Sequence, residues 1–199
     1  AVRFTYTISD GSTTSQGTDV VHDAGDREAA PTLRPHYVPA PYAVAAFGNV
    51  SIPITSEWRD PEGDPVTLLR AFDADHNPIP VTPAGQIDYS PGEADADGKR
   101  VLSYDVTDGL AEPVTKTVSV QVLGKDSFTE IAPIARPDVI RGEVGKPLVF
   151  SPLGNDLPGA DPRNLAARLT LAGEIPDQAN LSVTADEKTG QVTVVAKRE

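Results

Sequence analysis

One eight-residue pattern governs what this chain can fold into, and the chain carries it twice. Leu102–Gly109 reads Leu-Ser-Tyr-Asp-Val-Thr-Asp-Gly, and Phe4–Gly11 reads Phe-Thr-Tyr-Thr-Ile-Ser-Asp-Gly. Leu102, Tyr104 and Val106 fall on one side of an extended chain, and Ser103, Asp105 and Thr107 fall on the other. Alternation with a period of two predicts a strand with one buried face and one wet face. The closing Asp-Gly predicts a turn, because Gly accepts positive φ and Asp bonds nearby backbone. Val114, Val118, Val120 and Val122 then resume the alternation, so the unit reads as an antiparallel hairpin.

Tyr6 and Tyr104 stand 98 positions apart. A second echo has nearly the same period: Ala30-Pro31 with Arg34-Pro35 returns as Ala132-Pro133 with Arg136-Pro137, 102 positions later. A repeat of about 100 residues fits a small all-β sandwich rather than a short solenoid unit. Composition agrees. The 199 residues include 19 Pro and 16 Gly, which favours short strands joined by turns. The predicted fold class is all-β: tandem Ig-like β-sandwich repeats of the Greek-key kind, arranged as an elongated row.

Taken in order, residues 1–23 read as the closing hairpin of a preceding repeat, with Val2–Ser9 and Thr18–His22 as its strands. Residues 24–35 read as a linker bracketed by Pro31 and Pro35. Residues 36–124 hold a complete repeat of about seven strands. Within it Val38–Ala46 is expected at an edge, since Pro39 and Pro41 interrupt it. Residues 125–131 form a second linker. Residues 132–199 restart the repeat and lack its final hairpin. There Leu148 and Phe150 match the Val50–Ile54 strand, Asp161–Ala167 is expected to form one helical turn, and Leu169-Leu171, Leu181-Val183 and Val192-Val194 alternate as strands.

The two ends complement each other, a hairpin without its sandwich and a sandwich without its hairpin. One expectation is that the chain is a window of a longer array, its partners being neighbouring repeats of the same chain. A sharper one is head-to-tail self-association by strand donation, with residues 1–23 of one molecule completing residues 132–199 of another. An unfinished sandwich exposes unpaired edges, which gives the physical motive.

The paired closing strands, the run Asp60-Pro61-Glu62-Gly63-Asp64-Pro65 and the opening Ala132–Asp138 followed by Gly145–Phe150 and Gly154-Asn155-Asp156 together resemble the tandem Ig-like, cadherin-like repeats of large bacterial surface proteins. The resemblance covers nearly the whole chain. It implies a secreted or cell-surface protein of many repeats, used as a stalk or adhesin, and some members of that group bind calcium.

Chemistry is sparsely encoded. Asp60, Glu62 and Asp64 are the candidate metal ligands, three carboxylates on alternate positions that suit a hard cation such as calcium. Asp73, Asp75 and Asn77 form a second such set, and Asp95 with Asp97 a third. The competing structural reading of Asp60–Asp64 is a β-turn, with Asp first, Pro second and Gly fourth. Neither set carries the closing Glu of a helix–loop–helix calcium site, and no Asp-x-Asn-Asp-Asn run joins the repeats. No catalytic motif is present, and His22, His36 and His76 are scattered through linkers and turns. The net charge of −12 disfavours nucleic acid as a partner, and no apolar run approaches membrane-spanning length. There is no cysteine, so no disulfide staples the fold. The expected function is a non-enzymatic stalk or spacer at the cell surface. The alternative is an accessory carbohydrate-binding module of a secreted polysaccharide-active enzyme, with Trp58 or Tyr89 stacking on sugar.

Overall fold

The computed structural model describes residues 2–21, 28–94 and 96–197. Among them every regular element is a strand or a one-turn 3-10 segment. Strands β1 (Val2–Ser9) and β2 (Thr14–Val21) pair antiparallel as a hairpin of their own. Its apolar stripe stays in water: Phe4, Tyr6 and Ile8 are 48, 43 and 61% exposed. The matching residues of the second copy, Leu102, Tyr104 and Val106, are 0, 3 and 0% exposed. The same pattern thus has opposite fates, because among the described residues only the second copy has a facing sheet. Tyr6 instead lies across Gly17, where an added Cβ would come within 2.6 Å of the ring.

Nine strands follow: β3 (Thr32–Leu33), β4 (Tyr42–Ala45), β5 (Val50–Pro53), β6 (Trp58–Arg59), β7 (Thr67–Phe72), β8 (Pro78–Ile79), β9 (Gln86–Tyr89), β10 (Gly98–Thr107) and β11 (Val114–Leu123). One layer is the sheet β4-β11-β10-β7-β8, and the pairs β5-β9 and β3-β6 supply the rest. Side chains from all of them meet in a single core around Ile52, Ile87, Leu102, Val106, Val120 and Val122. β4 takes the edge expected of the proline-broken segment, and it runs parallel to β11. Thr32 and Leu33, inside the stretch read as linker, pair with Arg59 and Trp58.

Trp58 is 2% exposed and meets Tyr104 edge to face, with ring centroids 6.3 Å apart. Its indole N–H donates to the Tyr104 hydroxyl at 3.4 Å. On the outer side of the same sheet Asp105 is buried beneath its neighbours. It accepts a hydrogen bond from Thr115 Oγ1 at 2.6 Å and an ionic one from Arg70 Nε at 2.6 Å, which ties β7, β10 and β11 together.

Two backbone bridges hold the passage to the third unit. Ile131 exchanges backbone bonds with Ala160, and Ile134 with Leu157, all between 2.8 and 3.0 Å. Leu157 enters the core of the complete sandwich, and Ala160 packs with Ala43, Ala45 and Leu123. Beyond it β12 (Pro147–Phe150), β13 (Leu181–Asp186) and β14 (Gln191–Ala196) form a sheet in the order β12-β14-β13. The antiparallel β12–β14 pair stands for β5–β9 of the complete unit. Phe150, Val183, Val192 and Val194 line an apolar groove of about 330 Å³ with Ile140 and Ile175. Among the described residues no second sheet faces that groove.

Two expectations for this unit fail. Asp161–Ala167 is not a helical turn but two successive four-residue turns, Asn164 N–H to Asp161 C=O and Ala167 N–H to Asn164 C=O. The Asp161 carboxylate takes the Arg163 N–H, so it closes a local turn instead of starting a helix. Leu169-Leu171 forms no strand, for no neighbouring strand offers it a ladder.

Candidate cation site

The register of the main sheet brings two acidic loops to one end. β7 and β10 are antiparallel, and Thr67 lies opposite Thr107. The loop that precedes β7, Asp60–Val66, and the loop that follows β10, from Asp108 onward, therefore leave the sheet side by side.

Each loop is built around its first aspartate. Asp60 Oδ1 accepts the N–H groups of Glu62, Gly63 and Asp64 at 2.9, 2.9 and 3.0 Å. Gly63 sits at φ +98°, where other residues are strained. Asp108 Oδ1 accepts the N–H groups of Leu110 and Ala111, each at 2.9 Å. These are the turn functions that the residue order suggested. They use only one oxygen of each carboxylate. Asp60 Oδ2 and Asp108 Oδ2 are both shielded from solvent, and neither has a hydrogen-bond donor. The Asp60 carboxyl is among the groups that favour the charged form of Asp108.

Charge accumulates around the pair. Burial works against the charge on Asp108, but the N–H groups of Leu110 and Ala111 outweigh it and hold the carboxyl below its usual range. Glu28 stands near enough to feel the whole cluster. Partial desolvation, then the negative charges of Asp64, Asp108, Glu62 and Asp60, push its carboxyl above the usual range.

Of the predicted ligands, then, Asp60 is central, while Glu62 is exposed and Asp64 half-buried. Asp108 was missed by reading runs of neighbouring residues. Its signal was present as the Asp-Gly of the repeated hairpin, which only the register of β7 and β10 connects to Asp60. The orphaned oxygens fit a hard cation, whose bonds would take up lone pairs that no N–H reaches. Among the described residues no three metal-binding side chains converge as a ready cage.

The other acidic sets act as turn formers. Asp73 accepts bonds from the Asp75 and Asn77 backbone and from the Asn77 amide. Asp97 accepts from Gly124 N–H and Ser127 Oγ, which fastens the start of the second linker. Asp95 and His22 lie outside the described residues. His36 and His76 occupy exposed turns at φ +62°. Trp58 and Tyr89 are both core residues, so neither presents a ring to a sugar.

Comparison with known proteins places the complete sandwich. Residues 30–121 match the bacterial Ig domain family. The sandwich is Ig-like, and its match begins at Ala30, ahead of the β3 strand that pairs with β6. No characterised protein sequence matches the chain. Two solved structures are similar to the chain at low scores. An endo-fucoidan hydrolase of glycoside hydrolase family 107 is 15% identical at a TM-score of 0.40, with 99% of this chain and 30% of that one covered. The N-terminal Ig1-2 module of the Drosophila receptor protein tyrosine phosphatase DLAR is 13% identical at 0.36, with 86% of each chain covered. The chain thus spans under a third of the hydrolase, and at these scores neither likeness bears on function. Among the described residues no helix is long and apolar enough to cross a membrane.

Proposed function

We propose that this chain is a non-enzymatic spacer segment of a bacterial cell-surface or secreted protein, holding its neighbours at a set distance. The observation that carries this reading is the joint after the Ig-like sandwich. Leu157 of the third unit is buried in the core of the second, and the Ile131–Ala160 and Ile134–Leu157 bridges hold the segment that follows the sandwich against the one that carries Leu157. A joint of that kind transmits orientation from unit to unit, which a spacer requires and a tethered catalytic domain does not. The carbohydrate-binding alternative needs exposed rings, and the burial of Trp58 and Tyr89 takes away both that the sequence offered.

Neighbouring repeats are the partners this reading calls for. The uncovered stripe of Phe4, Tyr6 and Ile8 and the open groove beside Phe150 support such contacts at both ends of the described chain. Small-angle scattering tests the spacer directly. The expected result is a particle whose cross-section matches one sandwich and whose length exceeds it severalfold. A distribution of bent and straight forms, as from a loose hinge after residue 124, would overturn the reading.

A further inference from the structure

We propose that the cleft between the complete sandwich and the third unit binds an acidic oligosaccharide, with Phe47 as the stacking face and Arg136 and Arg168 as anchors for its negative groups. The cleft holds about 750 Å³, within the range of ordinary ligand sites. A second hollow of about 330 Å³ shares Asn49, Leu165 and Arg168 with it, so the two form one trough. A trough suits a length of polymer better than a single small molecule.

The sandwich wall presents a strained ring. Among the described residues His36, His76 and Phe47 are the non-glycine residues with positive φ. Histidine is a common occupant of that region, whereas a bulky aromatic is an outlier there. Phe47 sits at φ +61° because three bonds fix its turn. Its N–H donates to the Gly92 carbonyl at 2.7 Å, the Gly48 N–H to the Ala45 carbonyl at 2.9 Å, and the Ser90 hydroxyl to the Gly48 carbonyl at 2.8 Å. The result is a ring 58% exposed on the cleft wall, held there against backbone strain, and strain of that kind gathers at binding sites. A fixed aromatic face, apolar and open to water, is a surface on which a sugar ring packs. Asn49 and Gln86 line the same wall, and among the described residues their side-chain amides have no partner, which leaves them for sugar hydroxyls.

The opposite wall supplies charge. The chain has a net charge of −12, yet two arginines line this cleft and one carboxylate does. Arg136 is half-buried, and its backbone N–H donates to Asp156 Oδ1 at 2.7 Å while Asn155 Nδ2 donates to the Pro137 carbonyl at 3.1 Å, which pins the wall. Arg168 is exposed, with Nη1 on the Ala167 carbonyl at 2.9 Å. Among the described residues neither guanidinium pairs with a carboxylate. The acids of the adjoining hollow are neutralised, since Glu130 and Asp161 both pair with Arg163. Guanidinium groups take carboxylates and similar oxyanions in a two-pronged grip. An extended peptide gains less here. β5 is the strand that borders the cleft, and Pro53 offers it no N–H for a ladder.

The inference goes beyond the spacer reading, because a spacer needs no ligand. The test is calorimetric titration of the full chain at low salt with three tetrasaccharides, of galacturonic acid, of a sulfated galactan and of neutral galactan. The expected result is saturable binding of an acidic tetrasaccharide and none of the neutral one. The acidic sugar that binds tells whether carboxylate or sulfate is the group held. Arg168→Gln should weaken binding at least about tenfold. Phe47→Gly should weaken it by a similar factor and yet unfold no earlier than the parent, since glycine takes that φ without strain. Arg100→Gln, an exposed arginine on β10 outside the cleft, should keep the full affinity. Absence of binding by both acidic sugars would overturn the site, as would equal binding of the neutral one, an equal loss in Arg100→Gln, or tighter binding of a hexaglutamate peptide than of either acidic sugar.

Discussion

At the scale of the residue, the sandwich depends on a few polar groups placed where water cannot reach. Asp105 is the clearest. Its bond from Thr115 comes first among the causes that hold its carboxyl below the usual range, with Arg70 adding to it against the cost of burial. A carboxyl depressed in the folded state contributes stability that is present above its unfolded pKa and lost as pH falls through the folded value. Unfolding by urea should therefore show the parent chain weakening below about pH 4, and Asp105→Asn weakening much less over the same interval. At pH 7 Asp105→Ala should cost about 1–3 kcal/mol, mostly from the Thr115 bond, since the Arg70 side chain is largely in water. An unchanged acid limb in Asp105→Asn would mean that other carboxylates govern it. The pairing of Trp58 with Tyr104 yields a second expectation. Tyr104→Phe leaves the indole N–H without a partner in the core and should cost about 1–3 kcal/mol, read from the same urea curves. Loss of less than a few tenths would mean that the 3.4 Å bond contributes nothing.

Elements show why much of the fold was legible and the rest was not. The alternation in Leu102–Thr107 and Val114–Val122 marks β10 and β11 because a strand buried on one face must be written that way. The prolines around Tyr42 mark an edge for an equally direct reason. Two-residue strands leave no such trace. β3 is Thr-Leu in a proline-bracketed stretch, and only its pairing with Trp58 and Arg59 makes it a strand. Asp60 was legible as a turn residue, while its approach to Asp108 depended on a register that no local pattern encodes. The joint was hidden in the same way. Gly159 stands at φ +71°, and a Cβ there would come within 2.1 Å of the Ile131 carbonyl oxygen. Gly159→Ala should therefore break the Ile131–Ala160 bridge, costing at least about 1 kcal/mol locally. Hydrogen exchange should show the Ile131 and Ala160 amides losing protection while those of β10 and β11 keep theirs. Equal protection in the variant would mean that the joint does not rely on this close approach.

For the whole molecule the question is what covers its two open apolar surfaces. Phe4, Tyr6 and Ile8 copy the residues that close the complete sandwich, and the β12-β14-β13 sheet copies the layer they would close upon. A second molecule could join hairpin to sheet, and such head-to-tail contacts would repeat without closing. One residue sets the strength of that pairing. Asp19 lies directly opposite Phe4, in the place where Val118 lies opposite Leu102 and is buried. Docked as β10 and β11 are docked, the hairpin would carry that charge into the core at a cost of several kcal/mol. Sedimentation across a concentration series should thus find the parent chain monomeric at micromolar levels and pairing only at much higher ones. Asp19→Val removes the charge and restores the residue type of the closed sandwich, so it should tighten pairing at least about a hundredfold. Ile8→Ser in the same background should undo the gain by removing apolar area from the contact. If Asp19→Val stays as dispersed as the parent, the hairpin face is not the contact, and its cover is a neighbouring repeat whose surface accommodates the charge.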